Sequence, residues 1–266
     1  MVDYPIKERY SVSDLLEILR ILRAPGGCPW DWEQTHASIR GDLLEEAYEV
    51  ADAIDRENDT DLCEELGDLL LQVAFHAGIA EEEKAFTFDD VADGIVKKLI
   101  YRHPHVFGEV TAATASEVLT NWDALKRVEK HQESYTDTLE SVPRAFPALM
   151  RARKVQKRAA KAGFDWPDAS GAWDKLSEEI GEVRSAVEDG DQNAVAEELG
   201  DLLFSAVNVS RFLGVDPEQA LASATDKFIA RFAGVEALAK ERGIDMASSS
   251  LETLDALWDE VKHPGS

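Results

Sequence analysis

Apolar residues recur along the chain at three- and four-residue steps, the period of helices buried on one face. Val12, Leu15, Leu16, Leu19 and Leu22 form the first stripe, closed by Pro25-Gly26-Gly27. The pattern predicts a second helix from about Ser38 to Arg56 and a third from about Asp59 into the Glu81-Glu82-Glu83 run. Asp216-Pro217-Glu218-Gln219 reads as an N-cap, a proline at the first helical position and a reciprocal capping glutamine. Thr114-x-x-Glu117 and Ser249-x-x-Glu252 are further capping-box candidates. No sustained alternating segment is present, so the expected fold is all-α.

One internal repeat organises the chain. Glu45-Glu46-Ala47-Tyr48-Glu49 matches Glu178-Glu179-Ile180-Gly181-Glu182 at an offset of 133. The same offset carries Glu64-Glu65-Leu66-Gly67-Asp68 onto Glu197-Glu198-Leu199-Gly200-Asp201, so the connection between the two helices has equal length in both copies. After a register shift, Lys98-x-x-x-Arg102 matches Lys227-x-x-x-Arg231, and Trp122-Asp123-x-x-Lys126 matches Trp258-Asp259-x-x-Lys262. The chain reads as two copies of one helical module, at 1–135 and 166–266. Between them, 136–165 is a basic linker helix carrying Arg144, Arg151, Arg153, Lys154, Lys157, Arg158 and Lys161. Its favoured role is a solvated face that offsets nearby carboxylates, with phosphate contact as the second reading.

Charge narrows the function classes. With 28 Lys+Arg against 53 Asp+Glu the formal net charge is −25, which argues against nucleic acid or an anionic membrane as partner. A small anionic ligand remains open, provided a local basic group or a bound cation reverses the sign. No apolar run approaches the roughly 20 residues of a bilayer span. Met1-Val2-Asp3-Tyr4-Pro5 lacks the sections of a signal peptide. Cys28 and Cys63 have no Cys-x-x-Cys spacing, and a cytoplasmic protein is expected.

The repeated acids carry the chemistry. Glu179 and Glu182 are three apart on one helix face, as are Glu198 and Asp201 on the next helix. If those helices pack antiparallel, the pairs face each other and repel unless a cation intervenes. All-oxygen ligation suits Mg²⁺, with Mn²⁺ as a substitute, and disfavours Zn²⁺. Glu46, Glu49, Glu65 and Asp68 form the equivalent set in the first copy. A di-iron bundle would want Glu-x-x-His, whereas Tyr48, Asp68, Gly181 and Asp201 stand at those places. Lys227 and Arg231, one turn apart, suit a polyphosphate. Trp258 offers a face for a base, with Lys262 one turn beyond. Together these read as a nucleotide site, and no P-loop motif is present.

Glu178-Glu179-x-x-Glu182 with Glu198-x-x-Asp201, and Glu45-Glu46-x-x-Glu49 with Glu65-x-x-Asp68, resemble the signature of the MazG-type nucleoside triphosphate pyrophosphohydrolases. Cys28-Pro29-Trp30-Asp31, Arg102-His103-Pro104-His105-Val106-Phe107 and Gly163-Phe164-Asp165-Trp166 also look like stretches of that family. The resemblance implies two tandem MazG-like modules, each pairing into a four-helix bundle in a homodimer. It implies Mg²⁺-dependent hydrolysis of a nucleoside triphosphate to the monophosphate and pyrophosphate, cleansing the nucleotide pool. Glu179, Glu182, Glu198 and Asp201 would hold the metal. Glu178 or Glu197 would orient the attacking water or take its proton, and the sequence leaves both open. Lys175, with Lys227 and Arg231, would neutralise the phosphates. The first copy has Asp42 where the second has Lys175, which makes the C-terminal copy the expected hydrolase. A nucleotide sensor without hydrolysis and a ligand-free acidic scaffold are the competing readings.

Overall fold

The computed structural model describes residues 4–108, 114, 122, 125, 129 and 132–263. Glu117, Asp123 and Lys126, singled out above, lie outside the described residues. The fold is all-α, and no strand occurs among the described residues. The chain divides into two compact units, 1–126 and 127–266.

The first unit contains α1 (Val12–Arg23), α2 (Pro29–Glu33), α3 (Arg40–Asp55), α4 (Asp59–Glu82), α5 (Phe88–Arg102) and α6 (Pro104–Phe107). Helices α3 and α4 form a hairpin, with α1 and α5 packed on α4. Leu19, Ile39, Ala74, Phe75 and Ile79 make the core, flanked by Leu15, Leu16, Leu71 and Phe88. Ser11 and Asp14 close a reciprocal capping box on α1, as Thr87 and Asp90 do on α5. These caps satisfy first-turn N–H groups that the helix leaves without partners.

Arg23 ties the α1–α2 corner to the end of α4. It is buried, donates to both carboxylate oxygens of Glu82 at 2.8 Å, and also donates to the carbonyls of Asp31 (2.6 Å) and Gln34 (3.3 Å). Removing the guanidinium strands those carbonyls, so Arg23→Met should destabilise the protein by about 2–3 kcal/mol. Urea unfolding checks this, with a lower midpoint expected.

The second unit contains α7 (Tyr135–Glu140), α8 (Ala148–Lys161), α9 (Ala169–Asp189), α10 (Gln192–Phe212), α11 (Pro217–Glu241) and α12 (Leu251–Lys262). Helices α9 and α10 form the counterpart hairpin, while α11 and α12 close around Val235, Ala239 and Leu257. The basic helix α8 packs on α10 and α11 within this unit. There Arg153 pairs with Asp216, and Arg158 donates to the Ser141 hydroxyl (2.6 Å) and the Thr138 carbonyl.

The repeat extends into packing. At the 133-residue offset, Ile39, Ala53, Gln72 and Ala74 are buried in the first hairpin, and Ala172, Ala186, Ser205 and Val207 in the second. Both hairpin turns also need a left-handed residue. Gly190 supplies it with φ 74°, whereas Glu57 adopts φ 54° in the first copy. A side chain there strains the backbone. Glu57→Gly should therefore gain about 0.5–1 kcal/mol and Gly190→Ala should lose about 1 kcal/mol, measured by thermal unfolding.

Two capping expectations are corrected. Asp216 caps α11, but its bonds come from the N–H groups of Glu218 and Gln219, without a reciprocal bond from Gln219. Glu218 is engaged elsewhere, accepting the Leu149 and Met150 N–H groups at the start of α8. For α12 the cap is Ser250, accepting from the Thr253 N–H, because the helix begins one residue later than a Ser249 cap would place it.

Candidate metal and nucleotide site

The hairpin α9–α10 brings three carboxylates together. Each of Glu179, Glu182 and Glu198 offers one oxygen, and these oxygens all lie within 4.8 Å of one another. The spacing of three on α9 puts Glu179 and Glu182 on one face, and hairpin packing turns Glu198 of α10 toward them. Glu179 is 3% exposed and its Oε2 is buried without a hydrogen-bond partner. Glu46, Glu49 and Glu65 form the same grouping on α3–α4.

The aspartates stand apart. Asp68 and Asp201 lie outside the two three-carboxylate groups, each being one methylene shorter than a glutamate. Asp68 is nevertheless near enough for its charge to act on Glu46 and Glu65. Glu178 and Glu197 are exposed beside the second group.

Lys175 is drawn into the second group. Its ammonium lies 2.7 Å from Glu179, 3.0 Å from Glu178 and 3.9 Å from Glu182. Those carboxylates, Glu179 foremost, hold the ammonium well above the usual lysine range. In the first copy the charges bearing on Glu46 are themselves carboxylates: Asp68, Glu49 and Glu65.

Burial first, and neighbouring carboxylates next, push Glu46, Glu65 and Glu182 above the ordinary glutamate range. A carboxyl with a raised folded pKa binds its proton more tightly in the folded chain. Its unfavourable contribution is therefore absent below the unfolded pKa and grows as pH rises through the folded one. Asp14, Asp90 and Asp137 at the capping boxes are lowered by their hydrogen bonds and stabilise in the opposite sense, in a window below the ordinary aspartate range. The two windows do not overlap. In EDTA, melting temperature should thus decline as pH rises from the ordinary glutamate range, and saturating Mg²⁺ should reduce that decline by neutralising the repulsion at Glu46 and Glu65. A flat EDTA profile would contradict it.

The remaining candidates sit on the α11–α12 hairpin. Arg231 lies over the Trp258 ring, 5.9 Å from its centroid, and Phe228 packs on the same ring at 5.2 Å. Lys227 and Lys262 are exposed. Among the described residues no hydrogen bond or ion pair joins these four to the carboxylates of α9–α10. In the first copy Arg102 lies over Trp122 at 5.0 Å, the pairing that Arg231 makes with Trp258. A cavity of about 360 Å³ at the far end of α4, lined by Leu16, Arg20, Trp32, Gly78, Glu81 and Phe88 among others, contains none of the carboxylate ligands.

An all-carboxylate donor set with a partnerless buried oxygen fits a hard divalent cation such as Mg²⁺ or Mn²⁺. The profile of the MazG nucleotide pyrophosphohydrolase domain matches residues 34–107 and 171–235. The chain belongs to the MazG family. Nucleoside triphosphate pyrophosphohydrolase of Escherichia coli K12 is 48% identical over 94% of this chain and 97% of its own length. Nucleoside triphosphate pyrophosphohydrolase/pyrophosphatase MazG of Thermotoga maritima is 45% identical over 94% of this chain and 95% of its own. The uncharacterized protein YabN of Bacillus subtilis is 48% identical over 97% of this chain, which spans 54% of YabN. Both MazG matches contain their copy's carboxylate group, and the second also contains Lys175, Lys227 and Arg231. Trp258 and Lys262 fall beyond it.

Proposed function

We propose that this MazG protein hydrolyses nucleoside triphosphates between the α and β phosphates, releasing the monophosphate and pyrophosphate, with its principal activity in the C-terminal copy. The observation that carries this reading is the Glu179–Glu182–Glu198 group, whose buried Oε2 lacks a partner, inside a segment matching the pyrophosphohydrolase domain. Glu179, Glu182 and Glu198 would hold Mg²⁺, with Asp201 completing the set from one turn along α10. Bound there, the ion would neutralise phosphate charge and make a water easier to deprotonate. Glu178 or Glu197, both exposed beside the group, orients the attacking water or accepts its proton. Lys175, Lys227 and Arg231 offset the charge that builds on the phosphates. Trp258 stacks on the base, and Lys262 lies one turn beyond it. Glu46, Glu49, Glu65 and Asp68 form a second metal set whose copy is weaker in hydrolysis or regulatory.

The protein acts as a cytoplasmic homodimer without nucleic-acid or membrane partners; among the described residues no helix is long and apolar enough to cross a membrane. Leu199, Leu203 and Phe204 on α10 are each more than 40% exposed in the single chain, a face that a second hairpin would cover. Light scattering should accordingly give twice the 29.4 kDa chain mass, and a monomer at micromolar concentration would contradict it. Activity is tested by a coupled pyrophosphate assay over standard and damaged triphosphates. Pyrophosphate release with Mg²⁺, abolished by chelation, is expected. Nucleotide binding without release would leave a sensor. Absence of any joint stabilisation by Mg²⁺ and nucleotide would leave a scaffold.

A further inference from the structure

The two carboxylate groups share their spacing but not their charge balance. In the C-terminal group the Lys175 ammonium sits 2.7 Å from Glu179 and 3.9 Å from Glu182, two of the carboxylates that would ligate a metal. It also holds Glu178 at 3.0 Å. At the equivalent place the N-terminal copy carries Asp42, on the same helix face as Glu45 and Glu46. An ammonium cannot share that space with a divalent ion without repulsion, and the ion must first take the carboxylates from it. The ammonium is also an incomplete substitute, since Glu179 Oε2 remains buried without a partner. A lysine expelled from the group needs a new counter-anion, and a triphosphate arriving with the metal is the one the reaction provides.

We propose that Lys175 is a tethered counter-cation that keeps free divalent metal out of the C-terminal group, so that this group loads metal and triphosphate together, whereas the N-terminal group takes metal alone. The inference rests on the ligand sets assigned above and adds an order of loading that those sets do not contain. One consequence is that excess free Mg²⁺ would not fill the hydrolytic site ahead of substrate. Lys175 therefore acts twice, as a gate on the carboxylates before substrate arrives and as a phosphate partner afterwards.

The test uses Mn²⁺ binding to the full-length protein, followed by electron paramagnetic resonance, so no turnover is needed. The background is Glu49→Gln, which weakens the N-terminal group and isolates the other. In that background Mn²⁺ alone should bind weakly, and an α,β-methylene triphosphate should strengthen binding roughly tenfold or more. Adding Lys175→Gln should give tight binding of Mn²⁺ alone, with most of the nucleotide effect lost. Lys175→Arg, which keeps the charge, should behave like the parent and guards against a merely disruptive substitution. If Mn²⁺ alone binds the parent and the Lys175→Gln protein equally, while Glu182→Gln abolishes binding, the ligand set stands and this proposal is overturned. If Glu182→Gln also has no effect, the ligand set itself is wrong and the proposal falls with it.

Discussion

Glu182→Gln should lower pyrophosphate release at least ~30-fold at subsaturating Mg²⁺, while Glu49→Gln leaves most of it. The substitution keeps the side-chain volume and removes one ligand charge. Unit charges about 4 Å apart at an effective dielectric near 20 interact by about 4 kcal/mol. If half survives screening and relaxation, about 2 kcal/mol of metal binding is lost, or roughly 30-fold. The fold should persist, because Glu182 is exposed and its oxygen sits among repelling carboxylates. Raising Mg²⁺ should restore part of the rate, as expected of a ligand rather than a proton carrier. Loss of turnover in Glu49→Gln with retention in Glu182→Gln would reverse the assignment of the two copies.

Lys227→Ala and Arg231→Ala should each lower kcat/KM by about 10- to 100-fold. A charge-assisted hydrogen bond to phosphate contributes about 1.5–3 kcal/mol, and the loss appears wherever the contact is made in both ground and transition states. Exposed Lys227 makes no ion pair among the described residues, so its removal should shift stability by less than about 0.5 kcal/mol. Arg231 also covers Trp258, so its variant should lose a little packing as well. Trp258→Ala is the less informative change, because the ring packs against the Val235–Ala239–Leu257 core and its loss would disturb the α11–α12 hairpin directly. Stability unchanged together with kcat/KM unchanged in Lys227→Ala would remove that residue from the site.

Periodicity and repetition made most of the fold legible. The 133-residue offset found in the acidic motifs reappears in burial, from Ile39 and Ala172 to Ala74 and Val207, because both copies pack the same hairpin faces. The predicted third helix, Asp59 into the acidic run, ends at Glu82. Helix spacing also put Glu179 and Glu182 on one face, and Glu46 and Glu49 on another; a short connection of equal length brought Glu198 to the first pair and Glu65 to the second.

What escaped the sequence depends on partners distant along the chain or on choices within one turn. Arg23 looks like an ordinary C-terminal helix arginine until α4 delivers Glu82 and the α2 corner delivers two carbonyls. Ser249 and Ser250 offer the same hydroxyl chemistry, and only the backbone path selects Ser250. Lys175 is the instructive case. Its spacing to Glu178 and Glu179 already allowed an ion pair, yet its charge suggested a phosphate; which anion it meets depends on what else is bound.

Hydrolysis in ¹⁸O-labelled water, with both products resolved by mass, tests the central claim most directly. Attack at the α-phosphorus requires the label to appear in the nucleoside monophosphate, with unlabelled pyrophosphate released, and requires Glu182→Gln to suppress both. Label in the pyrophosphate, or release of orthophosphate and a nucleoside diphosphate, would contradict it.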